Sequence, residues 1–278
     1  VHKLERVWVY DSGDLQEGAS VRHTSPLVID GRLYGLSPRL SPFAINAGNG
    51  QELWHRTDIT NTKLSTQKSL LWLDQKDTQQ LVHVAESQLI GINPQTGKTS
   101  FTIDLTTSKL SDASVNDSPG LILDDLIIVG IGKNILATNA NGEIVWKIDT
   151  RAQIGGISAD EGRGWIYLST DSPDPPHNKS NRKNGYANSI LAVDARTGEI
   201  QWTFSNIVND LWDRGFKTPP TLIGDTFVGI AASTGHLFLL DRNNGKPLIP
   251  LQKMEAPASA LAKGDDSFQW SSSIELTR

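Results

Sequence analysis

One short pattern recurs five times along this chain, and a repeat constrains a fold more tightly than composition can. An apolar pair is followed by Asn or Asp, a turn holding Gly and, in most copies, an aromatic residue. The first copy reads Ala44-Ile45-Asn46-Ala47-Gly48-Asn49-Gly50-Gln51-Glu52-Leu53-Trp54, and the second Ile92-Asn93-Pro94-Gln95-Thr96-Gly97, closing on Phe101. The third runs Thr138-Asn139-Ala140-Asn141-Gly142 to Trp146, and the fourth Val193-Asp194-Ala195-Arg196-Thr197-Gly198 to Trp202. The fifth is Leu240-Asp241-Arg242-Asn243-Asn244-Gly245. Their last glycines stand 47, 45, 56 and 47 residues apart.

Each copy has the chemistry of a β-hairpin. The Asn or Asp side chain bonds back to the backbone, and the glycine accepts the positive φ that a tight turn between right-twisted strands requires. The aromatic just past the turn is expected to pack against the next sheet. A second hairpin precedes most copies, as in Ser25-Pro26-Leu27-Val28-Ile29-Asp30-Gly31-Arg32-Leu33-Tyr34, in Ser118 to Val129 and in Pro219 to Val228. Two hairpins make four strands, and four strands per roughly 45 residues is a propeller blade. Five aligned turns at near-constant spacing favour that reading over a β-sandwich. The expected fold is all-β: a β-propeller of four-stranded antiparallel blades, about five of them, in a single domain over residues 1–278. The repeat turns fall near 45–54, 92–101, 138–146, 193–202 and 240–249.

The segment Arg6-Val7-Trp8-Val9-Tyr10 reads as the outermost strand of a blade with no strands before it, while Leu251–Arg278 shows no sixth turn pattern. The chain begins at Val1 and its one methionine is Met254. Together these lead us to expect a partial chain and an unfinished ring.

Composition excludes several functions. The net charge of −5, with no local run of Lys or Arg, argues against a nucleic-acid partner. The absence of cysteine removes disulfides, thiolate metal sites and cysteine nucleophiles. Six histidines are scattered without zinc-ligand spacing. No glycine-rich phosphate loop follows a strand and opens a helix. No apolar run reaches the roughly 18 residues that span a bilayer, and no basic-then-apolar leader opens the chain.

The Ala/Val-Asp-x-x-Thr-Gly-x-x-x-Trp turn resembles the tryptophan-docking pattern of the pyrroloquinoline-quinone-dependent (quinoprotein) dehydrogenases. The resemblance is greatest to the membrane-bound glucose dehydrogenase branch. It extends over nearly the whole chain and is densest from Ser158 through Leu168, Ser189 to Asp194, Asp210-Leu211-Trp212-Asp213, Pro219 to Leu222, and Phe238 to Arg242. The turn is shared with non-catalytic propellers that scaffold outer-membrane assembly, whereas the Asp-Leu-Trp-Asp stretch is more specific to the dehydrogenases.

The resemblance implies an eight-bladed ring that binds pyrroloquinoline quinone (PQQ) near its axis, with Ca2+ as a Lewis acid and a carboxylate as base. Asp213 stands at the position of that base, with Asp210 and Trp212 beside it as cofactor contacts. Ser233 occupies the place of a quinone-contacting lysine or arginine. Asp171, Asp174 and Asp213 are the candidate oxygen ligands of the metal. It further implies a small-molecule alcohol or sugar substrate, an electron acceptor such as a membrane quinone or cytochrome, and a periplasmic location.

Departures from the family pattern accompany these matches. Val208 and Asn209 replace two histidines, no glutamate lies around Ile131-Gly132-Lys133, and Ile154-Gly155-Gly156 lacks an aromatic floor for the quinone. Each singled-out residue also has a plain structural reading. Asp213 could cap a turn, Asp210 could bond backbone, and Asp171 and Asp174 could be solvated in their Pro-rich loop. His177 to Lys183, the insertion behind the 56-residue step, is either an exposed loop or a rim over a pocket. The alternative function is a non-catalytic propeller that serves as a binding or assembly scaffold.

Overall fold

A computed structural model describes residues 4–15, 24–59, 70–75, 78–85, 88–104, 120–173, 185–208, 214–255 and 268–271. Backbone contacts divide the chain into two compact units, Val1–Val115 and Asn116–Arg278. Every regular element among the described residues is a β-strand.

The first unit holds two four-stranded sheets. One comprises β1 (Leu27–Ile29), β2 (Arg32–Leu36), β3 (Pro42–Asn46) and β4 (Glu52–His55); the other comprises β5 (Leu71–Gln75), β6 (Thr78–Ala85), β7 (Gln88–Ile92) and β8 (Thr99–Asp104). The second unit has two more of the same form: β9 (Leu121–Leu123), β10 (Leu126–Ile131), β11 (Asn134–Thr138) and β12 (Ile144–Asp149), then β13 (Ala152–Asp160), β14 (Trp165–Pro173), β15 (Ser189–Asp194) and β16 (Ile200–Ser205). All four are antiparallel meanders with chain neighbours paired, which is the expected blade.

The four repeat turns with a strand on both sides join the third and fourth strands, and one defect recurs before each. The register slips between Ala44 and Ile45, Gly91 and Ile92, Ala137 and Thr138, and Ala192 and Val193. A bulge at that place bends the last strand and aims the residues beyond the turn. The turn chemistry is as read from the sequence. Asn46, Asn93, Asn139, Asp194 and Asp241 each accept a backbone N–H two residues on through Oδ1. The five glycines have φ of 73°, 70°, 89°, 73° and 69°.

Sheet-to-sheet packing within each unit is organised by indoles. Trp54 donates Nε1–H to the Pro94 carbonyl at 2.9 Å, Trp146 to that of Ala195 at 2.7 Å, and Trp202 to that of Arg242 at 2.7 Å. In each case the ring lies on the turn glycine of the neighbouring sheet. A Cβ on Gly97, Gly198 or Gly245 would come within 2.8, 2.7 or 2.4 Å of that ring. The glycine thus serves the positive φ and the close approach together. The second copy differs, because Phe101 packs over Gly91 of its own sheet, directly across the ladder.

Three departures from expectation appear. Arg6–Tyr10 forms no strand, since nothing among the described residues pairs with its backbone. It is held by side chains instead: Trp8 donates to the Ala47 carbonyl and lies on Gly50, and Tyr10 packs on Phe43 with ring centroids 4.8 Å apart. The fifth repeat yields a three-stranded sheet, β17 (Ile207–Val208) having intervened before β18 (Thr221–Ile223), β19 (Phe227–Ala231) and β20 (Leu237–Asp241). Beyond its turn only the isolated bridge Leu240–Pro247 forms, as Pro247 has no N–H to extend a ladder. Finally, β17 pairs with a hairpin of β21 (Gln252–Glu255) and β22 (Phe268–Ser271), in a region where no repeat is legible.

At the tight-turn end of the second unit, Asp160 and Arg242 clasp two sheets. Arg242 Nη1 lies 3.0 Å from Asp160 Oδ2, and both side chains are buried. Arg242 also donates to the Phe227 and Gly224 carbonyls, and Arg163 reaches Asp160 at 3.1 Å. In the first unit the buried polar group that stands out is His83 on β6. It is fully enclosed, and neither ring nitrogen makes a well-formed hydrogen bond. Burial pushes its pKa down to about 4, which the Leu40 backbone offsets only in part.

Two measurements check this account. Trp146→Ala should cost about 3–5 kcal/mol in denaturant unfolding, while Val145→Ala on the exposed face next to it should stay within about 0.5 kcal/mol. For His83 the unfolded chain takes up a proton below the ordinary imidazole pKa and the folded chain does not until about pH 4. Stability is therefore lost as pH falls through that window, by something of the order of 3 kcal/mol. A His83→Leu variant should flatten the pH dependence of the first unit's unfolding between those limits.

Candidate functional site

Alternating strand direction sorts the connections of the second unit to two ends. The tight turns, Asp160 to Trp165 and Asp194 to Glu199 among them, fall at one end. The other end, here the loop end, gathers the β10–β11, β12–β13 and β19–β20 turns with the end of β14 and the start of β15. Two of the site residues expected from the sequence, Asp171 and Ser233, stand at that loop end.

Asp171 and Ser233 are the two that can be located. Asp174, Asp210, Trp212 and Asp213 lie outside the described residues. Asp171, at the end of β14, accepts the Asn188 N–H on its backbone carbonyl at 3.0 Å and the Ser172 N–H on Oδ1 at 2.8 Å. Its Oδ2 lies 3.7 Å from Lys217 Nζ, a cation absent from the expected set. Ser233 is an exposed residue of the β19–β20 turn, and its N–H reaches the Gly215 carbonyl at 3.4 Å. A Cβ on Gly215 would fall 2.4 Å from Asp171 Oδ1, and the Gly215 N–H bonds Ser172 Oγ at 3.1 Å. Gly215 therefore brings Asp171 and Ser233 together, with Lys217 close by.

The missing aromatic near Ile154-Gly155-Gly156 now has a physical reason. The chain from Phe216 to Pro219 occupies the space in front of those glycines. A Cβ on Gly155 would meet the Phe216 carbonyl oxygen at 2.1 Å, and one on Gly156 the Pro219 nitrogen at 2.4 Å. The Phe216 N–H bonds the Thr170 carbonyl, and Ser169 Oγ donates to that of Thr218 at 2.7 Å. Phe216 is fully buried and meets Phe238 edge-on, centroids 6.0 Å apart.

Three residues that sequence reasoning passed over also sit at the loop end. Asn188 holds φ of 51° and is buried. Asn206 is fully buried with neither side-chain atom hydrogen-bonded, and His236 is buried with Nδ1 unpartnered. Alternation could have found the last two. Asn206 continues the buried face of Trp202 and Phe204, and His236 that of Phe238 and Leu240. A polar residue in an apolar register is the signal.

The donors near Asp171, namely its own carboxylate, Ser172 Oγ and the Asn188 amide, are all oxygen, which suits a hard cation in kind. Among the described residues, however, no three acidic or histidine side chains converge as a metal set. The orphaned amide and imidazole do suit a polar group at this end.

Residues 1–145 and 138–269 match the family described as "PQQ: glucose/ethanol/alcohol dehydrogenase, beta-propeller domain". The chain is 26% identical to the quinoprotein glucose dehydrogenase of Escherichia coli (strain K12), over 95% of this chain and 42% of that one. Its fold is similar to that of the quinohemoprotein alcohol dehydrogenase from Comamonas testosteroni, with TM-score 0.64 and 18% identity over 83% of this chain and 43% of the other. It is likewise similar to BamB from Moraxella catarrhalis, with TM-score 0.59 and 17% identity over 81% and 63%. The chain spans about two-fifths of the length of the curated relatives that match more than nine-tenths of it.

The packing of the loop end can be tested at one atom. Gly155→Ala should destabilise the second unit by about 1–3 kcal/mol, because its methyl meets the fixed Phe216 carbonyl. Gly162→Ala, whose Cβ makes only an ordinary 3.6 Å contact with Asp160, should melt like the parent.

Proposed function

The chain belongs to the PQQ glucose/ethanol/alcohol dehydrogenase β-propeller family, and on that footing we propose that it forms part of a quinoprotein oxidoreductase acting on an alcohol or sugar hydroxyl. The observation that carries this reading is the match of the family to both units, joined to a loop end where Asp171 and Ser233 meet around Gly215. PQQ, when bound, supplies the two-electron oxidant.

The remaining chemistry falls to this chain's own groups. Asp213 takes the proton from the substrate hydroxyl as general base, and Asp210 and Trp212 flank it. Ser233 offers a hydroxyl, not a fixed cation, where the cofactor's polar edge would lie. Calcium would draw on Asp171, Asp174 and Asp213. Of these, Asp171 has Lys217 Nζ 3.7 Å away, which would compete with the cation for its carboxylate. A periplasmic location and transfer of electrons to a membrane quinone or a cytochrome complete the proposal.

The second reading is a propeller that binds or scaffolds without catalysis. It is favoured by the lysine sitting on Asp171 and by the chain that fills the space before Gly155 and Gly156. The protein reconstituted with PQQ and calcium, assayed for dye reduction on a panel of alcohols and aldoses, separates the two. Turnover that is abolished in Asp213→Asn while PQQ still quenches tryptophan fluorescence supports the dehydrogenase. No saturable quenching and no turnover leave the scaffold.

A further inference from the structure

Phe204 on β16 and Phe238 on β20 meet with ring centroids 5.4 Å apart, tying the two neighbouring sheets of the second unit. They belong to one core with Trp202, Phe216 and Leu240. Both strands then take one more inward-facing step toward the loop end. On β16 that step is Asn206, with no exposed surface; on β20 it is His236, 5% exposed. Two apolar faces that touch at a phenylalanine pair thus end in a carboxamide and an imidazole.

These end groups are not engaged by the protein. Neither Asn206 Oδ1 nor Nδ2 has a partner, nor does His236 Nδ1, nor the buried Oγ1 of Thr234 two residues before it. Only the backbone of Asn206 is tied, its N–H reaching the Asn188 carbonyl at 3.3 Å. A buried polar atom left unpaired costs the full loss of its hydration, so three such side chains at the same end of two packed sheets are disfavoured unless something polar meets them. The set is uncharged in its amide and hydroxyl, and each of its three side chains can present a donor, an acceptor or both. A hydroxyl oxygen, which donates once and accepts twice, matches that mixed donor and acceptor set, which holds no carboxylate to favour a metal ion and no fixed cation to favour an anion. The near-complete burial limits the guest to a very small one.

We propose that Asn206, Thr234 and His236 form a hydroxyl-binding subsite between the two sheets, taking a water molecule or the hydroxyl end of a one- or two-carbon alcohol. None of the three is among the residues proposed to hold the quinone, and the subsite stands whether or not the quinone reading does.

A double-mutant cycle on thermal stability tests it without cofactor, using Asn206→Leu, His236→Phe and the pair. A shared guest is lost with either side chain, so the double variant should melt no lower than the worse single one. Additive losses of melting temperature would overturn the proposal. Long-range 1H–15N spectra of the His236 ring, recorded with and without methanol or ethanol, identify the guest. A saturable shift of Nδ1 that disappears in Asn206→Leu assigns an alcohol. A cross-relaxation peak to water with no alcohol response assigns water. A through-bond coupling between Asn206 and His236, or an unbonded Nδ1 with neither response, sinks the idea. PQQ binding is followed separately, so its failure would count against the dehydrogenase reading alone.

Discussion

An indole laid on a glycine is the contact on which the sheet stacking in each unit depends. The tryptophan comes from the last strand of one sheet and the glycine from the turn of the next. The ring needs the glycine's missing Cβ, and the turn needs its positive φ. The indole N–H then satisfies a turn carbonyl that burial would otherwise strand. A single residue exchange therefore threatens turn geometry, packing and hydrogen bonding together. The recurrent bulge just before the turn belongs to the same device, since it aims the last strand so that its tryptophan lands on the neighbour.

This economy explains what could be read in the chain. The turn residues announce themselves because their chemistry is local: Asn46 or Asp194 bonds two residues ahead, and Gly50 or Gly198 must be glycine. The four-stranded unit follows from counting hairpins. What escaped was non-local. Arg6–Tyr10 has strand-like alternation, yet among the described residues no backbone lies beside it, and no pattern within five residues can report that. The β21–β22 hairpin carries no repeat signal and is defined by pairing with the short β17. At the loop end, Asp171 and Ser233 were visible as types of residue, but their meeting around Gly215 depends on a chain segment more than forty residues from Asp171. Lys217, unremarkable in sequence, acquires meaning only through that approach.

Close backbone approach shapes the loop end in the same way that it shapes the turns. Gly155, Gly156 and Gly215 let three stretches of main chain come nearer than any side chain would allow. The segment from Phe216 to Pro219 fills the place where an aromatic floor was expected, and its own phenylalanine joins the core between the sheets. Asp171 and Ser233 are thus set on a backbone with little freedom to shift.

The clasp between Asp160 and Arg242 bears on a different problem. A chain of similar sheets has many nearly equivalent ways to stack, and swapped neighbours are a characteristic error of repeat proteins. Hydrophobic faces and turn glycines do little to tell one sheet from another, since all carry them. Arg242 does. Docked beside a sheet with no carboxylate at the matching turn, it would be buried without its counter-charge, at a cost of about 3–5 kcal/mol. The pair thereby acts as an address label for this one neighbour, on a surface otherwise built from interchangeable parts.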